Sequence, residues 1–392
     1  MKHSSNLLLR DGAPMNPLNR VILLMTAMAG LALNLAAQGF NAGSNGSLGD
    51  VVISENTTLP LPTNGVLHYR SLTVNAGVRL NFTRNERNTP VFILSQGDVV
   101  VNGTIEVNGF QAAVNAGGQG GPGGFDGGKP GFGAEVPPGD GYGPGHSLGG
   151  DPNCNGFSAG AGSYGTAGGG KSGSTYGTPL LIPLIGGSGG GGGEGQPGGG
   201  GGGGAILISA NTRISVNGRI EARGGDPRTC LNGGSGGAIR LVAPTVSGSG
   251  VIDVRGGGTG GLGRIRVDTI DRSGLSFQFL NNNVTTVGGN LISFPPVSPR
   301  LATIEAAGNS IPEGSSPVTF NLPFGSSTNR TVKIQARDFG RLVPIRVTLT
   351  PDSGPALVFD AEVDNSTTNP AQVEVPVTVP VNTLVTVHAW TR

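Results

Sequence analysis

Apolar and polar residues alternate in short runs along three matching stretches of this chain. Val91–Gly109, Ile206–Gly224 and Ile239–Gly256 align position by position, the third one residue shorter. In the second stretch the apolar pairs are Ile206/Ile208, Ile214/Val216 and Ile220/Ala222. A period of two marks strands with one buried face. Three short strands in a unit of about 20 residues, none able to bury its face alone, predict a stacked solenoid. Partial units flank the full ones: Val51–Ile53 with Leu59–Leu61, Leu72–Val74 with Val78–Phe82, and Ile265–Val267. The predicted fold is a right-handed parallel β-helix with Val, Ile and Leu inside. Its turns fall at Asn102-Gly103, Asn217-Gly218 and Ser249-Gly250, where positive φ is expected. An antiparallel sandwich with hairpins at those pairs is the alternative fold. The parallel order of equivalent positions, and insertions that follow Gly109, Gly224 and Gly256, favour the solenoid.

Composition adds a second kind of structure. Glycine accounts for 74 of the 392 residues and is concentrated between Gly117 and Gly204. It has no side chain to bury and loses the most backbone entropy on ordering. Residues 110–204 are therefore expected as a glycine-rich insertion leaning on the solenoid. Gly117–Phe125 reads as Gly-Gly-X triplets, and Gly198–Gly204 is unbroken. A three-residue period suits the extended threefold helix, several of which can pack side by side as polyglycine II. A disordered loop is the other reading. In composition and period the segment resembles the glycine-rich tips of some phage tail adhesins and certain antifreeze proteins.

From about Pro299 glycine thins and Val/Thr alternation rises. Strands are predicted at Arg300–Ala306, Val318–Leu322, Thr331–Ala336, Ile345–Thr350, Leu357–Val363, Gln372–Val379 and Leu384–Trp390. They predict an all-β architecture throughout: β-helix repeats over 38–273, a linker over 274–298, and an immunoglobulin- or fibronectin-like β-sandwich over 299–392.

The N-terminus reads as a secretory signal peptide over residues 1–37, with Met15 as an alternative start. Arg20 precedes the apolar run Val21–Leu33, and Leu35-Ala36-Ala37 before Gln38 forms a cleavage pattern. The run is short for a membrane span, so none is expected after signal removal. The predicted localisation is secreted, extracellular or at a bacterial cell surface. In an exported chain the two cysteines, Cys154 and Cys230, are expected to form a disulfide. A net charge of +1 gives no reason to expect nucleic acid as partner.

Candidate chemistry is sparse. Gly165–Ser172 matches a phosphate loop but lacks the flanking strand and helix, so no nucleotide is expected. Two Gly-x-Ser-x-Gly matches, at Ser188 and Ser235, lack a His and acid signature. The better lead is Glu106, Glu221 and Asp253, which occupy one aligned position, each after an inward Ile. On adjacent rungs such acids would lie about 4.8 Å apart, close enough to work as a catalytic pair or a cation site. The bland alternative is a solvated ladder with Arg223 and Arg255. Arg240 and Arg266 also align, as candidates for an acidic glycan or as partners of nearby acids. Tyr142, Tyr164 and Tyr176 are the candidate sugar platforms, with Trp390 expected far off in the sandwich. Asp126, Asp140, Asp151 and Asp226 are weak calcium candidates, and no cofactor is predicted.

Through Asn-Gly-Thr-Ile-Glu at 102–106, Gly-Gly-Ala-Ile at 236–239 and Asp-Val-Arg-Gly-Gly at 253–257, residues 48–270 resemble a broad set of uncharacterised bacterial secreted glycine-rich repeat proteins. That resemblance implies no particular activity. The expected function is a secreted or cell-surface structural or adhesive protein that displays a glycine-rich tip on a β-solenoid. Its partner would be an extracellular glycan or surface component. A β-helical polysaccharide lyase or glycoside hydrolase, or a non-catalytic glycan-binding module, is the alternative. The Asp-Asp, Asn-Thr-Asp, His-Gly and Arg-x-Lys hallmarks of pectin-degrading helices are missing from the repeats.

Overall fold

A computed structural model describes residues 39–150, 159–195, 198–228, 232–280 and 282–392. The signal-peptide region, Asp151 and both cysteines, with their expected disulfide, lie outside the described residues. Asn41–Arg392 form one compact unit. Its regular elements are strands, with one short 3-10 turn at Asn282–Val284 and no α-helix among the described residues.

The alternating runs form strands as their period requires, and successive strands go to three different parallel sheets. The first pass lays down β1 (Asp50–Ile53), β2 (Thr57–Pro60) and β3 (Val66–Tyr69). The second lays down β4 (Ser71–Val74), β5 (Arg79–Thr83) and β6 (Val91–Ser95), and the third β7 (Val99–Val101), β8 (Thr104–Glu106) and β9 (Ala205–Ala210). Then come β10 (Arg213–Val216), β11 (Arg219–Glu221) and β12 (Ala238–Val242), followed by β13 (Thr245–Ser247), β14 (Val251–Asp253) and β15 (Arg264–Asp268). Short strands β16 (Gln278–Phe279) and β17 (Thr285–Gly288) close the series. The sheet orders are β1-β4-β7-β10-β13, β2-β5-β8-β11-β14-β16 and β3-β6-β9-β12-β15-β17. Within the expected linker over 274–298, Gln278–Phe279 and Thr285–Gly288 thus extend two sheets.

Register stacks like on like. Leu80, Ile105, Ile220, Ile252 and Phe279 are successive partners in the second sheet. The inner faces of all three sheets share one apolar core. Each such side chain contributes about 1.5–3 kcal/mol by leaving water. The turn glycines serve a different purpose from the one expected. Gly103, Gly218 and Gly250 do not have positive φ. They are needed because turns stack closely: a Cβ on Gly218 would sit 1.9 Å from the Gly103 carbonyl oxygen. Beside them Asn217 Nδ2 donates to Asn102 Oδ1 at 3.0 Å.

Long connections always leave the second sheet and return to the third, at 107–204, 222–237 and 254–263. They carry the glycine segments, which are ordered by backbone hydrogen bonds with a period of three. The amides of Gly199 and Gly202 donate to the carbonyls of Gly128 and Phe125. Those of Gly200 and Gly203 donate to Asn232 and Ser235, and those of Gly201 and Gly204 to Phe110 and Val107. In return Gly118 and Gly121 donate to Gly199 and Gly202, while Gly190 and Gly187 donate to Gly200 and Gly203. A run with neighbours on every side leaves no direction for a side chain. A Cβ on Gly199 or Gly202 would meet a backbone oxygen at 1.9 or 2.0 Å.

The C-terminal strands are β18 (Arg300–Ala306), β19 (Asn309–Ser310), β20 (Asn329–Arg337), β21 (Leu342–Pro351), β22 (Leu357–Asp364), β23 (Ala371–Thr378) and β24 (Val385–Thr391). They form two antiparallel sheets, β19-β18-β20-β23 and β22-β21-β24, around a common core that includes Ile334, Ile345, Val347 and Leu349. The strand expected at Val318–Leu322 does not form. Pro317 and Pro323 bracket it without amide donors, and tight turns at Pro312–Ser315 and Pro323–Ser326 redirect the chain at both ends.

Candidate functional site

The outer face of the second sheet gathers the strongest chemistry. Glu221 pairs in register with Glu106 on one side and Asp253 on the other. The inward Ile before each acid directs the carboxyl away from the core, as the alternation predicts. The expectation that these carboxylates are solvated does not hold. Asp253 is fully buried and Glu221 is 8% exposed. The reason is the arginines, whose long stems lie over the acids. Arg255 grips Asp253 through Nε and Nη2, the latter at 2.7 Å. Arg219 Nη1 bonds Glu221 at 2.8 Å and reaches to 3.9 Å from Asp253. Arg223 Nε stands 3.7 Å from Asp253, and Arg79 pairs with Glu106. Asn108 completes the row, donating from Nδ2 to Glu221 and accepting from the Arg223 amide.

These surroundings push Glu106 and Asp253 apart in acidity. Burial raises Glu106 above the usual glutamate range; Arg79 offsets this in part, and the Glu221 charge adds to it. Burial would also raise Asp253, but the hydrogen bonds and charge of Arg255, with the charge of Arg223, outweigh it and hold the carboxyl low. Asp253 is thus fixed as a structural anion. A buried acid clasped by three guanidiniums is a poor proton carrier at neutral pH.

A second ionic cluster lies on the outer face of the third sheet. Arg240 is 1% exposed and bonds Asp268, itself fully buried, at 3.1 Å. Arg266 bonds the other Asp268 oxygen at 2.6 Å. A segment crossing this face seals the cluster: the Asn290 amide donates to Asp268, the Ser209 and Ser293 hydroxyls meet at 2.6 Å, and Phe294 packs on Phe92 at 5.1 Å. Arg240 therefore has no surface to offer a glycan, and Arg266 is committed to Asp268. Near the end of this segment a cavity of about 360 Å³ is lined by Asn41–Gly43, Leu291–Phe294 and Pro296.

The remaining candidates are dispersed. Tyr164 is fully buried against Tyr176, whose hydroxyl donates to the Gly186 carbonyl at 2.6 Å. Burial keeps both phenols well above their ordinary pKa. They fasten the glycine segments, and Tyr164 presents no face to a sugar. Asp126 pairs with Arg84, Asp140 accepts amides from Gly149 and Ala356, and Asp226 accepts the Gly258 amide. Among the described residues no three of His, Cys, Asp and Glu are grouped as a metal would need.

Sequence reasoning missed one junction. Trp390 is not remote: its ring meets Phe125 of the glycine segment edge-on at 5.3 Å and stacks on His388 at 4.9 Å. Tyr142 packs edge-on against His388 and donates to Asp352 at 3.3 Å. Lys129 pairs with Asp352, and the Ser353 hydroxyl donates to the Pro137 carbonyl. Strand β24 alternates Val385, Val387 and Ala389 into its own core with Thr386, His388 and Trp390 outward. That outward aromatic face was the available signal.

No helix among the described residues is long and apolar enough to cross a membrane. Comparison with protein-family models, curated proteins and solved structures finds no match for the chain.

Proposed function

We propose that the chain is a secreted or cell-surface structural and adhesive protein. In this reading the three parallel sheets are the faces of a right-handed β-helix. The glycine segments are a polyglycine-II-type bundle beside it, and the C-terminal sheets are an immunoglobulin- or fibronectin-like sandwich clamped to that bundle. The observation that carries the reading is the period-three bonding of Gly199–Gly204 to three separate neighbours. It ties glycine segments from three parts of the chain together through backbone alone, which suits a load-bearing display element. The low share of charged residues, 12%, supports it further.

A second reading has one specific support. Glu106 keeps its proton above the usual range, retains partial exposure and sits one rung, about 4.8 Å, from Glu221. Neighbouring rungs bring two carboxyls into the range of a retaining glycosidase pair, whose carboxyl groups stand about 5–5.5 Å apart. Both readings meet in one experiment: incubation of the purified protein with neutral and acidic polysaccharides, scored for adsorption and for reducing ends or unsaturated products. The structural reading expects adsorption without product. Products that appear with the parent and vanish in Glu106→Gln and Glu221→Gln would replace it with the enzyme.

A further inference from the structure

We propose that the outer face of the second sheet binds a linear acidic polysaccharide through Arg79, Arg219, Arg223 and Arg255, with Phe110 as a flanking platform. The proposal rests on the adhesive reading above and names its partner class. Its starting point is an inversion of exposure. The four arginine side chains are 59%, 40%, 38% and 44% exposed, while Glu106, Glu221 and Asp253 beneath them are 16%, 11% and 0% exposed. Solvent meets guanidinium and little carboxylate, so the face is cationic to an arriving ligand although its pairs nearly balance.

The guanidiniums also keep unspent donors. Each has five N–H groups. Arg79 and Arg219 use only Nη1 on their acids, and Arg255 leaves Nη1 free of its grip on Asp253; Arg223 Nε, buried 3.7 Å from Asp253, adds charge and no donor of its own to the row. The acids below hold the forks in place, which lowers the ordering cost of binding. Register sets the spacing. Arg79 and Arg219 flank Thr104 and so stand two rungs apart, while the Gly224 amide donates to the Arg255 carbonyl, placing Arg223 and Arg255 on neighbouring rungs. With rungs about 4.8 Å apart, cations recur along the sheet on the scale of one sugar ring. Phe110, 59% exposed, follows the Gly109 amide that donates to the Arg223 carbonyl, and its own backbone is held by Gln119 and Gly201. A fixed aromatic face beside a line of forks suits a polymer of rings bearing carboxylate or sulfate. A nucleic acid would call for a larger excess of positive charge than this row and a chain of net charge +1 supply.

The test is equilibrium binding of the full chain to a polyuronate, a sulfated polysaccharide, neutral dextran and single-stranded DNA at low and high salt. Variants are Arg79→Gln, Phe110→Ala and the paired Arg219→Gln/Glu221→Gln, which leaves no orphaned buried charge. The expected result is salt-sensitive binding to at least one of the two anionic polysaccharides and none to dextran. The preferred polymer shows whether carboxylate or sulfate is read. Each variant should weaken binding roughly three- to tenfold. Arg79 and Phe110 are exposed enough for their variants to fold, so those two decide the matter if the paired variant does not. Absence of binding to both anionic polymers, affinity unchanged in Arg79→Gln and Phe110→Ala, or DNA bound more tightly than either polysaccharide would overturn the proposal. The adhesive reading survives these outcomes as long as some polysaccharide in the wider panel is adsorbed without product, so its failure and the failure of this proposal are distinguishable.

Discussion

The stacked strands and the glycine segments beside them order the backbone by opposite means. In the sheets every second residue sends an apolar side chain inward, and Leu80, Ile105, Ile220 and Ile252 make a continuous core from it. Along Gly199–Gly204 there is no side chain to bury: the run approaches six stretches of chain so closely that only backbone fits between them. The first mode tolerates a change of side chain at a graded cost, because a shortened Ile leaves a gap that can partly close. The second has no gradation. Its currency is backbone hydrogen bonding at fixed spacing, so one added carbon parts several segments together.

The sharpest way to break the comparison is Gly202→Val. Its Cβ would meet the Gly187 carbonyl at 2.0 Å with no flexible group to yield. A loss of about 5 kcal/mol is expected, from overpacking together with the surrounding backbone bonds. It should be read as early unfolding of the glycine segments in hydrogen exchange while the sheets persist in circular dichroism. Ile220→Ala, in the middle of the apolar ladder, should cost about 3–4 kcal/mol in a denaturant titration, in line with other buried truncations.

The junction between the two regions gives a pH-dependent effect. Burial among Phe125, Tyr142 and Trp390 depresses His388 to about 4, against its ordinary 6.5, although the Asp126 charge opposes this. Its Nδ1 is buried without a partner. Between pH 6.5 and about 4 the unfolded chain takes up a proton that the folded chain refuses, so stability is full above this window and falls through it. The expected loss is roughly 3 kcal/mol. His388→Phe should flatten that slope in thermal unfolding followed across the window. The smallest effect is expected at Gly289→Ala, a change of less than about 0.5 kcal/mol. Its Cβ would find only the Thr269 carbonyl, at 3.9 Å, and its φ is ordinary. Together with Gly202→Val it separates glycines required by close packing from those that are not.

These contrasts also explain what the sequence made legible. Strand positions, parallel register and the alignment of Glu106, Glu221 and Asp253 follow from a period of two repeated in units, which is local information. The burial of those acids does not, because it depends on Arg219 and Arg255 folding over them from flanking positions. The unbroken run Gly198–Gly204 announced that its own side chains could not hold it. Its order was hidden because Gly199–Gly204 find partners at 107–110, 125–128 and 232–235, far apart in the chain. Val318–Leu322 shows the reverse failure: a sound strand pattern with no neighbouring strand to complete it.

The central claim is that glycine amides with no side chains around them are locked by the backbone alone. Hydrogen exchange resolved along Gly198–Gly204 tests it most directly. Protection of these amides approaching that of Ile206 and Ile220 is the predicted result. Exchange at the rate of an open glycine loop, with the strands still protected, would contradict the account.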